Sequence, residues 1–564
     1  MKLDRFFIWR RRHWRGLTVS ALAALFFIGA GAFNFLTESP DFMKWGSPDE
    51  TANYVMAGQM AATGWPLIKE ELNLTADNLV APRSLLADGV WLKPVSFLGV
   101  IIYYGLLAKL LGLWVLPYLT PFLAAAAIVI FYLLVKKFLN PDIAWTAAWL
   151  AAIFPPLIYY SVRGLFHNVP FAAWLIIATY LATLAARRQT GWTAYGLAVL
   201  AGYACGLALA MRGVEVLWLG PLIIYGWLVN WRQWRLAKSG VWLFGLALAL
   251  APVAYYNQLL YGAPWLSGYP GMNRAASDLV NGSALAAGQV FAGQLTAVYA
   301  AAKQIYHALF YFSARPIASL LNLWLYFIKM FYWWWWLAVI GWLRWTYLQW
   351  RDRQNKRWWL AVLPCTLIFI WLTLYYGSWQ ISDNIDPNAV TIGNSYTRYW
   401  LPLYLAAIPW AAFGLIDLSR RFWPRHPVRP AAIILILLTA WSAWFVLAGS
   451  AEGLIPAYRN FQESRLIYQH VLTDTEPNSI IITRYHDKLF FPERAVIMKN
   501  FTDRSTVAVY AKLLRERPLY YFNLTLPEKD LRLINDQQLR PSGLVLVWRE
   551  AVTPELSLYS LQKK

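Results

Sequence analysis

MKLDRFFIWRRRHWRGLTVSALAALFFIGAGAFNFLTESPDFMKWGSPDE, residues 1–50, begins with a basic arm, runs through a charge-free apolar stretch over 17–36 and ends on two adjacent carboxylates. About 20 apolar residues are what a helix needs to cross a hydrocarbon core. The arm over 1–16 is net +5. Short segments rich in Lys and Arg stay on the cytoplasmic side, so the arm predicts a cytoplasmic N-terminus and an outer position for the acidic stretch that follows. No small-residue cleavage site follows the run, and it exceeds the length of a signal-peptide core. A retained first span is expected.

The rest of the chain repeats this pattern. Of 564 residues, 59% are hydrophobic and only 14% charged, against about 25% charged in soluble domains. Mean hydropathy is +0.40. These values exclude a soluble enzyme, a disordered chain and a secreted disulfide scaffold. Further apolar stretches fall at 143–160, 168–186, 193–211, 214–230, 240–256, 317–343, 359–376, 399–416 and 431–449. Residues 95–137 hold one or two more crossings, broken near 113–117. About 11 to 13 spans are expected. The net charge is +21, and +20 of it lies in six short windows beside apolar stretches: 1–16, 136–137, 187–188, 232–238, 344–357 and 420–429. That placement is the positive-inside pattern, and it removes the support for a nucleic-acid partner that a basic chain otherwise gives. The loop after the first span has the opposite bias, with eight acidic and four basic residues over 38–93. Cys205 and Cys365 lie within apolar stretches and read as core residues.

The expected class is a polytopic α-helical membrane protein with a C-terminal extracytoplasmic α/β domain. Residues 1–450 form the transmembrane module, with a first outer loop at 38–96 and a long outer segment at 257–315. Residues 451–564 regain charge. SIIIT (479–483), PLYYFNL (518–524) and GLVLVWR (543–549) read as strands, with helices over 505–517 and 527–538. WWWW (333–336) reads as a membrane-facing or interfacial belt.

Candidate site residues are the polar exceptions near the membrane. Asp49 and Glu50 open GSPDETANYVMAGQMAATG (46–64), in which Tyr54 and the methionines fit a short surface helix. The same acids also read as a helix N-terminus capped by Ser47. Lys93 precedes Pro94 at the start of an apolar helix, where a lysine can also snorkel. Arg163 and His167 fall in an outer turn, Arg212 and Glu215 in another, and Arg398 begins a returning span. Charge near the hydrocarbon layer is costly and marks sites. Arg212 and Glu215 equally fit a mutual ion pair, Arg398 an interfacial anchor and His167 a packed side chain.

Taken in order, Pro48-Asp49-Glu50-Thr51 with Tyr54 and Gly64, then Lys93-Pro94, Tyr160-Ser161-Val162-Arg163 through Pro170, Gly206 to Arg212-Gly213, and Tyr396-Thr397-Arg398-Tyr399-Trp400-Leu401-Pro402 resemble the GT-C superfamily of membrane glycosyltransferases. The similarity is to protein O-mannosyltransferases and lipid A aminoarabinose transferases, over roughly residues 1–450. Val95 stands where the pattern has a second proline, and Asn168 where some members have an aspartate. The resemblance implies the GT-C fold and an inverting transfer of a sugar from a polyprenyl phosphate to a hydroxyl on a glycan, lipid or protein. It implies Asp49 as the catalytic base with Glu50 beside it. Lys93, Arg163, Arg212 and Arg398 would hold the donor phosphate, and Tyr54, His167, Asn168, Glu215, Tyr396 and Tyr399 would add substrate contacts. No nucleotide-binding loop is present in the sequence. Asp49 and Glu50 could take a divalent cation, but no other acidic cluster lies close in sequence, and no metal or other cofactor is expected. The expected setting is multi-pass in the plasma or inner membrane, with membrane lipids, the lipid-linked donor and an acceptor as partners. A polysaccharide ligase or polymerase stays open as an alternative. A lipid-linked sugar transporter is weakened by the absence of an internal repeat.

Overall fold

The computed structural model describes residues 2–188, 191–275, 277–278, 295–351, 359–381, 383, 389–425, 428–449 and 451–564. Parts of the expected outer segment 257–315 and of the loop at 378–396 lie outside the described residues. The chain divides into two compact units, Met1–Phe33 with Tyr118–Pro456, and Asn34–Pro117 with Ala457–Lys564.

Among the described residues, seven helices are long and apolar enough to cross a membrane, or up to nine if each of two bent pairs is one span. Three further apolar helices, Leu98–Leu111, Gly213–Val229 and Trp359–Gly377, also fall in stretches counted among the 11 to 13 expected spans. The ambiguous 95–137 stretch resolves into the helices Leu98–Leu111 and Leu116–Phe138. They break at Gly112, whose φ of +97° a side chain would disfavour. The expected span at 143–160 is the bent pair Pro141–Ala152 and Pro155–Val162, at 48° to one another. Pro155 and Pro156 cannot supply the N–H groups that would continue the first helix.

Inside the first unit, Tyr332–Arg351 crosses Leu401–Phe422 where Gly341 meets Gly414. A Cβ on Gly341 would stand 1.8 Å from the Trp410 carbonyl oxygen. Without a hydrophobic drive between helices in lipid, such small-residue contacts let van der Waals packing hold them. The four tryptophans at 333–336 are divided by helical periodicity, and this corrects the expected belt. Trp334 is buried against Phe154, Phe327 and Tyr404, with ring centroids 5.1, 5.9 and 6.1 Å away. Trp336, two positions on, is exposed.

The second unit holds two sheets. β1 (Ile68–Lys69), β2 (Leu85–Asp88) and β3 (Trp91–Pro94) form an antiparallel sheet in the order β1-β3-β2. Gly89, at φ +56°, opens the two-residue turn between β2 and β3. β4 (Ile480–Thr483), β5 (Ala495–Ile497), β6 (Leu519–Leu524), β7 (Leu544–Ala551) and β8 (Leu556–Lys563) form the order β5-β4-β6-β8-β7. β4 runs parallel to β5 and β6, and β8 pairs antiparallel with β6 and β7. The three strands expected from the sequence are present, and β5 and β8 join them. The expected helices correspond to Arg504–Leu513 and to Glu528–Leu533 with its continuation to Leu539.

Leu72, Ala76 and Val80 from the first loop are buried in one core with Ile480, Ile482, Ile497 and Leu519. Val80 also bridges to Ile497, and its backbone is bracketed by the Asn73 side chain at 2.9 and 3.0 Å. The compact units therefore differ from the expected division at residue 450. The loop residues between β1 and β2 thus contribute to the core of the five-stranded sheet.

Replacing Gly341 by leucine should lower the thermal midpoint of the detergent-solubilised protein, because overpacking of this kind costs about 1–3 kcal/mol. A melting curve equal to that of the wild type would contradict this account of the crossing.

Candidate functional site

In the second unit the carboxylates sit on the helix Pro48–Thr63. Ser47 caps it, accepting from the Asp49 N–H at 3.3 Å, and Pro48 occupies the first turn, where its missing N–H costs nothing. The capping alternative is therefore present in the structure. It leaves the Asp49 carboxylate available to accept a hydrogen bond from the Ser84 hydroxyl. One residue on, Glu50 is fully buried, and Asn53 a turn later accepts from Ser96 at 2.9 Å.

Glu50 faces a second carboxylate that sequence spacing did not single out. Glu38, just past the first span, is held well above the usual carboxylate range by burial and by the charge of Glu50. Lys44 opposes this shift. Lys44 is itself buried, which lowers its pKa, and it donates to Glu493 and to the Phe491 carbonyl, both at 2.5 Å. Tyr54 lies within reach of the same charges, with its phenol pKa raised by burial and then by Glu38. Glu38 follows the apolar run directly, and an acid at that boundary was the one available signal.

Lys93 departs from its expected place. It lies on β3, opposite Leu86, and donates to Asp88 on the neighbouring strand. The apolar helix begins only at Leu98.

In the first unit the expected cations gather around aromatic rings. Arg212 ends the helix Trp192–Met211, and the turn Gly213–Glu215 brings Glu215 back to it. Arg212 Nε donates to Glu215 Oε1 at 2.7 Å, and Nη2 donates to the Tyr376 hydroxyl at 2.9 Å. Tyr376 donates to the same Glu215 oxygen at 2.6 Å, and Trp218 donates to the other. The guanidinium is 4.9 Å from the Tyr399 ring centroid and 5.7 Å from that of Tyr376, and these two rings stack at 5.0 Å. The mutual ion pair is thus present, nearly fully buried.

Arg398 continues the arrangement. Its guanidinium lies 4.1 Å from the Phe166 ring and 5.3 Å from the Tyr399 ring. Arg163 lies 5.0 Å from the same Phe166 ring centroid and donates to the Tyr159 hydroxyl at 3.2 Å. Aromatic faces attract cations without neutralising them. Asn168 donates to the Arg398 carbonyl at 3.1 Å, a structural bond that an aspartate could not make as an acceptor. His167, buried and facing the charges of Arg212 and Arg398, has its pKa pushed down to about 3 and is neutral at pH 7. Tyr396 packs instead, donating to the Trp379 carbonyl at 2.5 Å. Phe166, Tyr376 and Glu38 were missed from sequence because an aromatic in an apolar stretch, or one acid in a loop, carries no spacing signal.

Residues 104–256 match the family described as dolichyl-phosphate-mannose-protein mannosyltransferase. Among solved structures, the apo oligosaccharyltransferase of Archaeoglobus fulgidus is similar with a TM-score of 0.55 and 14% identity, over 92% of this chain and 70% of that one. ArnT from Cupriavidus metallidurans, bound to undecaprenyl phosphate, is similar with a TM-score of 0.51 and 13% identity, over 95% of this chain and 97% of that one. The chain has the GT-C fold. The GT-C resemblance read from its sequence and the likeness of its structure therefore agree. No curated protein matches the chain.

Glu38 gives a pH-dependent prediction. An acid whose folded pKa lies above its ordinary value of 4.5 binds its proton more tightly when folded, so its contribution to stability is lost as pH rises from 4.5 through the folded pKa. Glu38→Gln should leave stability unchanged near pH 4 and raise it increasingly toward neutral pH. Melting curves of both proteins across that range measure the difference, and a constant difference would overturn the assignment.

Proposed function

We propose that this GT-C protein is an inverting glycosyltransferase that moves a sugar from a polyprenyl phosphate to a hydroxyl on a glycan, lipid or protein, at the extracytoplasmic face of the plasma or inner membrane. The observation that carries this is the convergence of Arg163, Arg212 and Arg398 on the faces of Phe166 and Tyr399 beside a neutral His167. Glu215 is bound to Arg212, and Arg163 and Arg398 add two further guanidinium groups over the aromatic faces. Fixed cations among aromatic rings suit a leaving phosphate, because they meet the charge that develops on it without reorganising. The undecaprenyl phosphate held by the similar ArnT supports the same ligand class here.

In the proposed reaction the acceptor oxygen attacks the anomeric carbon as the bond to the phosphate oxygen breaks. The configuration inverts, the phosphate keeps the electron pair, and the acceptor proton passes to a carboxylate. Asp49 is assigned that proton. Its carboxylate is half-buried on a capped helix, and one oxygen is oriented by the Ser84 hydroxyl. Glu50 supports it from inside the helix. Lys93 is assigned to the donor phosphate as a further cation. Guanidinium groups supply the positive charge at the phosphate, and the proposal assigns no step to a metal.

Asp49→Asn should insert and fold normally but transfer sugar about 10²–10⁴-fold more slowly, the usual contribution of a positioned base. Arg398→Met should cost about 10²–10³-fold through the lost phosphate partner. Transfer from radiolabelled polyprenyl-phosphate sugars in lipid nanodiscs is the measurement, with EDTA expected to leave the rate unchanged. Full activity in the Asp49→Asn protein would remove the assigned base, and loss of activity in EDTA would remove the metal-free mechanism.

A further inference from the structure

Two consecutive residues of the C-terminal segment bond to Arg83, the neighbour of Ser84, and to Gly46 ahead of the Asp49 helix. Asp487, fully buried, accepts the Arg83 backbone N–H at 2.7 Å, Arg83 Nε at 2.9 Å and Arg83 Nη2 at 2.7 Å. The same guanidinium donates to the Tyr485 carbonyl at 2.6 Å. The next residue, Ser84, stands at φ +65°, a left-handed conformation uncommon for serine. Its carbonyl accepts the Val95 N–H at 2.9 Å, and its hydroxyl donates to the Asp49 carboxylate. On the other side, Lys488 donates to the carbonyl of Gly46, the residue before the Ser47 cap of the Asp49 helix.

We propose that Asp487 and Lys488 are positioning residues for Asp49: Asp487 holds Arg83 and thereby fixes Ser84 in its left-handed conformation against the carboxylate, and Lys488 anchors the turn that starts the helix. The inference rests on the assignment of Asp49 as the base. A buried carboxylate that takes three hydrogen bonds from one arginine, including its main-chain N–H, fixes a backbone and not merely a side chain. The left-handed residue beside it needs such over-determination to persist. The effect is to leave the Asp49 carboxylate with one fixed orientation, as a base must have at a reacting hydroxyl.

The test uses the full-length protein in nanodiscs and two readouts. Hydrogen exchange over 46–52 and 80–96 needs no substrate, and turnover of a panel of radiolabelled hexosyl and pentosyl polyprenyl phosphates gives kcat and KM separately. Ser84→Gly removes the hydroxymethyl side chain and with it the bond to Asp49, while glycine accepts the left-handed backbone without strain. It should lower kcat by about ten- to hundredfold with KM unchanged. Asp487→Asn should lower kcat similarly and speed exchange over 80–96, Asp487→Glu should restore part of both, and Lys488→Met should speed exchange over 46–52. The Ser84→Gly, Asp487→Asn double variant should be no slower than the slower single one, since both act on one contact. Wild-type kcat in Ser84→Gly, or factors that multiply in the double variant, would overturn the proposal even if Asp487→Asn fails to fold. If Asp49→Asn keeps full turnover, or the wild type turns over no member of the panel, the proposal falls with the assignment on which it rests. If Asp49→Asn is inactive and Ser84→Gly is not, the positioning proposal alone fails.

Discussion

An ionised side chain taken out of water costs several kcal/mol unless a partner and further hydrogen bonds replace the lost solvation. In a chain with 14% charged residues and a positive mean hydropathy, that cost governs where each buried charge can sit. Arg212 shows how it is met. Glu215 supplies the counter-charge, Tyr376 bonds both partners and Trp218 satisfies the second carboxylate oxygen. The requirement also explains the local folding. The helix Trp192–Met211 has to end so that a tight turn can return Glu215 three positions later, and this shortens the apolar helix that follows to Gly213–Val229.

Arg163 and Arg398 are handled differently, and the contrast is chemical. Both guanidinium groups lie over Phe166, and Arg398 also lies over Tyr399. A ring face lowers the cost of a cation without cancelling its charge. The neutral state of His167 fits the same electrostatics, since a further cation beside Arg212 and Arg398 would be repelled. Asn168 belongs to this balance too: as an amide it can donate to the Arg398 carbonyl.

Much of this was legible in the sequence because membrane physics writes itself in long runs. The basic windows, the first span and the acid-rich loop follow from charge and length alone. The GT-C resemblance rests on short motifs whose residues, Asp49, Arg163, Arg212 and Arg398, carry charge where charge is rare. What could not be read depends on contacts between distant positions. Lys93 precedes a proline and an apolar run, which suggests a helix start, yet the turn at Gly89 folds it into a hairpin with Asp88. Phe166 and Tyr376 are indistinguishable in sequence from other buried rings. The run at 333–336 has one composition but two environments, because successive residues on a helix are about 100° apart. Helix ends were less legible than the spans themselves: hydropathy sees an apolar stretch, whereas Gly112 and the turn after Arg212 decide where a helix stops.

The grouping of 34–117 with 457–564 changes what the C-terminal strands mean. Read as a composition shift near residue 450, they look like an appendage. In the structure the first loop contributes Leu72, Ala76 and Val80 to their core, and it is tied to them by Lys44 on Glu493, Arg83 on Asp487 and Arg465 on Asp41. Two of these ties have one partner buried, and ties of that kind are geometrically demanding because a displaced partner leaves an uncompensated charge. The loop bears Asp49 and Glu50 on a 16-residue helix, and its own sheet of two- and four-residue strands is too small to hold that helix in place. The rigidity that the helix needs is therefore supplied from more than 350 positions away in the chain, which is why no local reading of 38–96 could have found it.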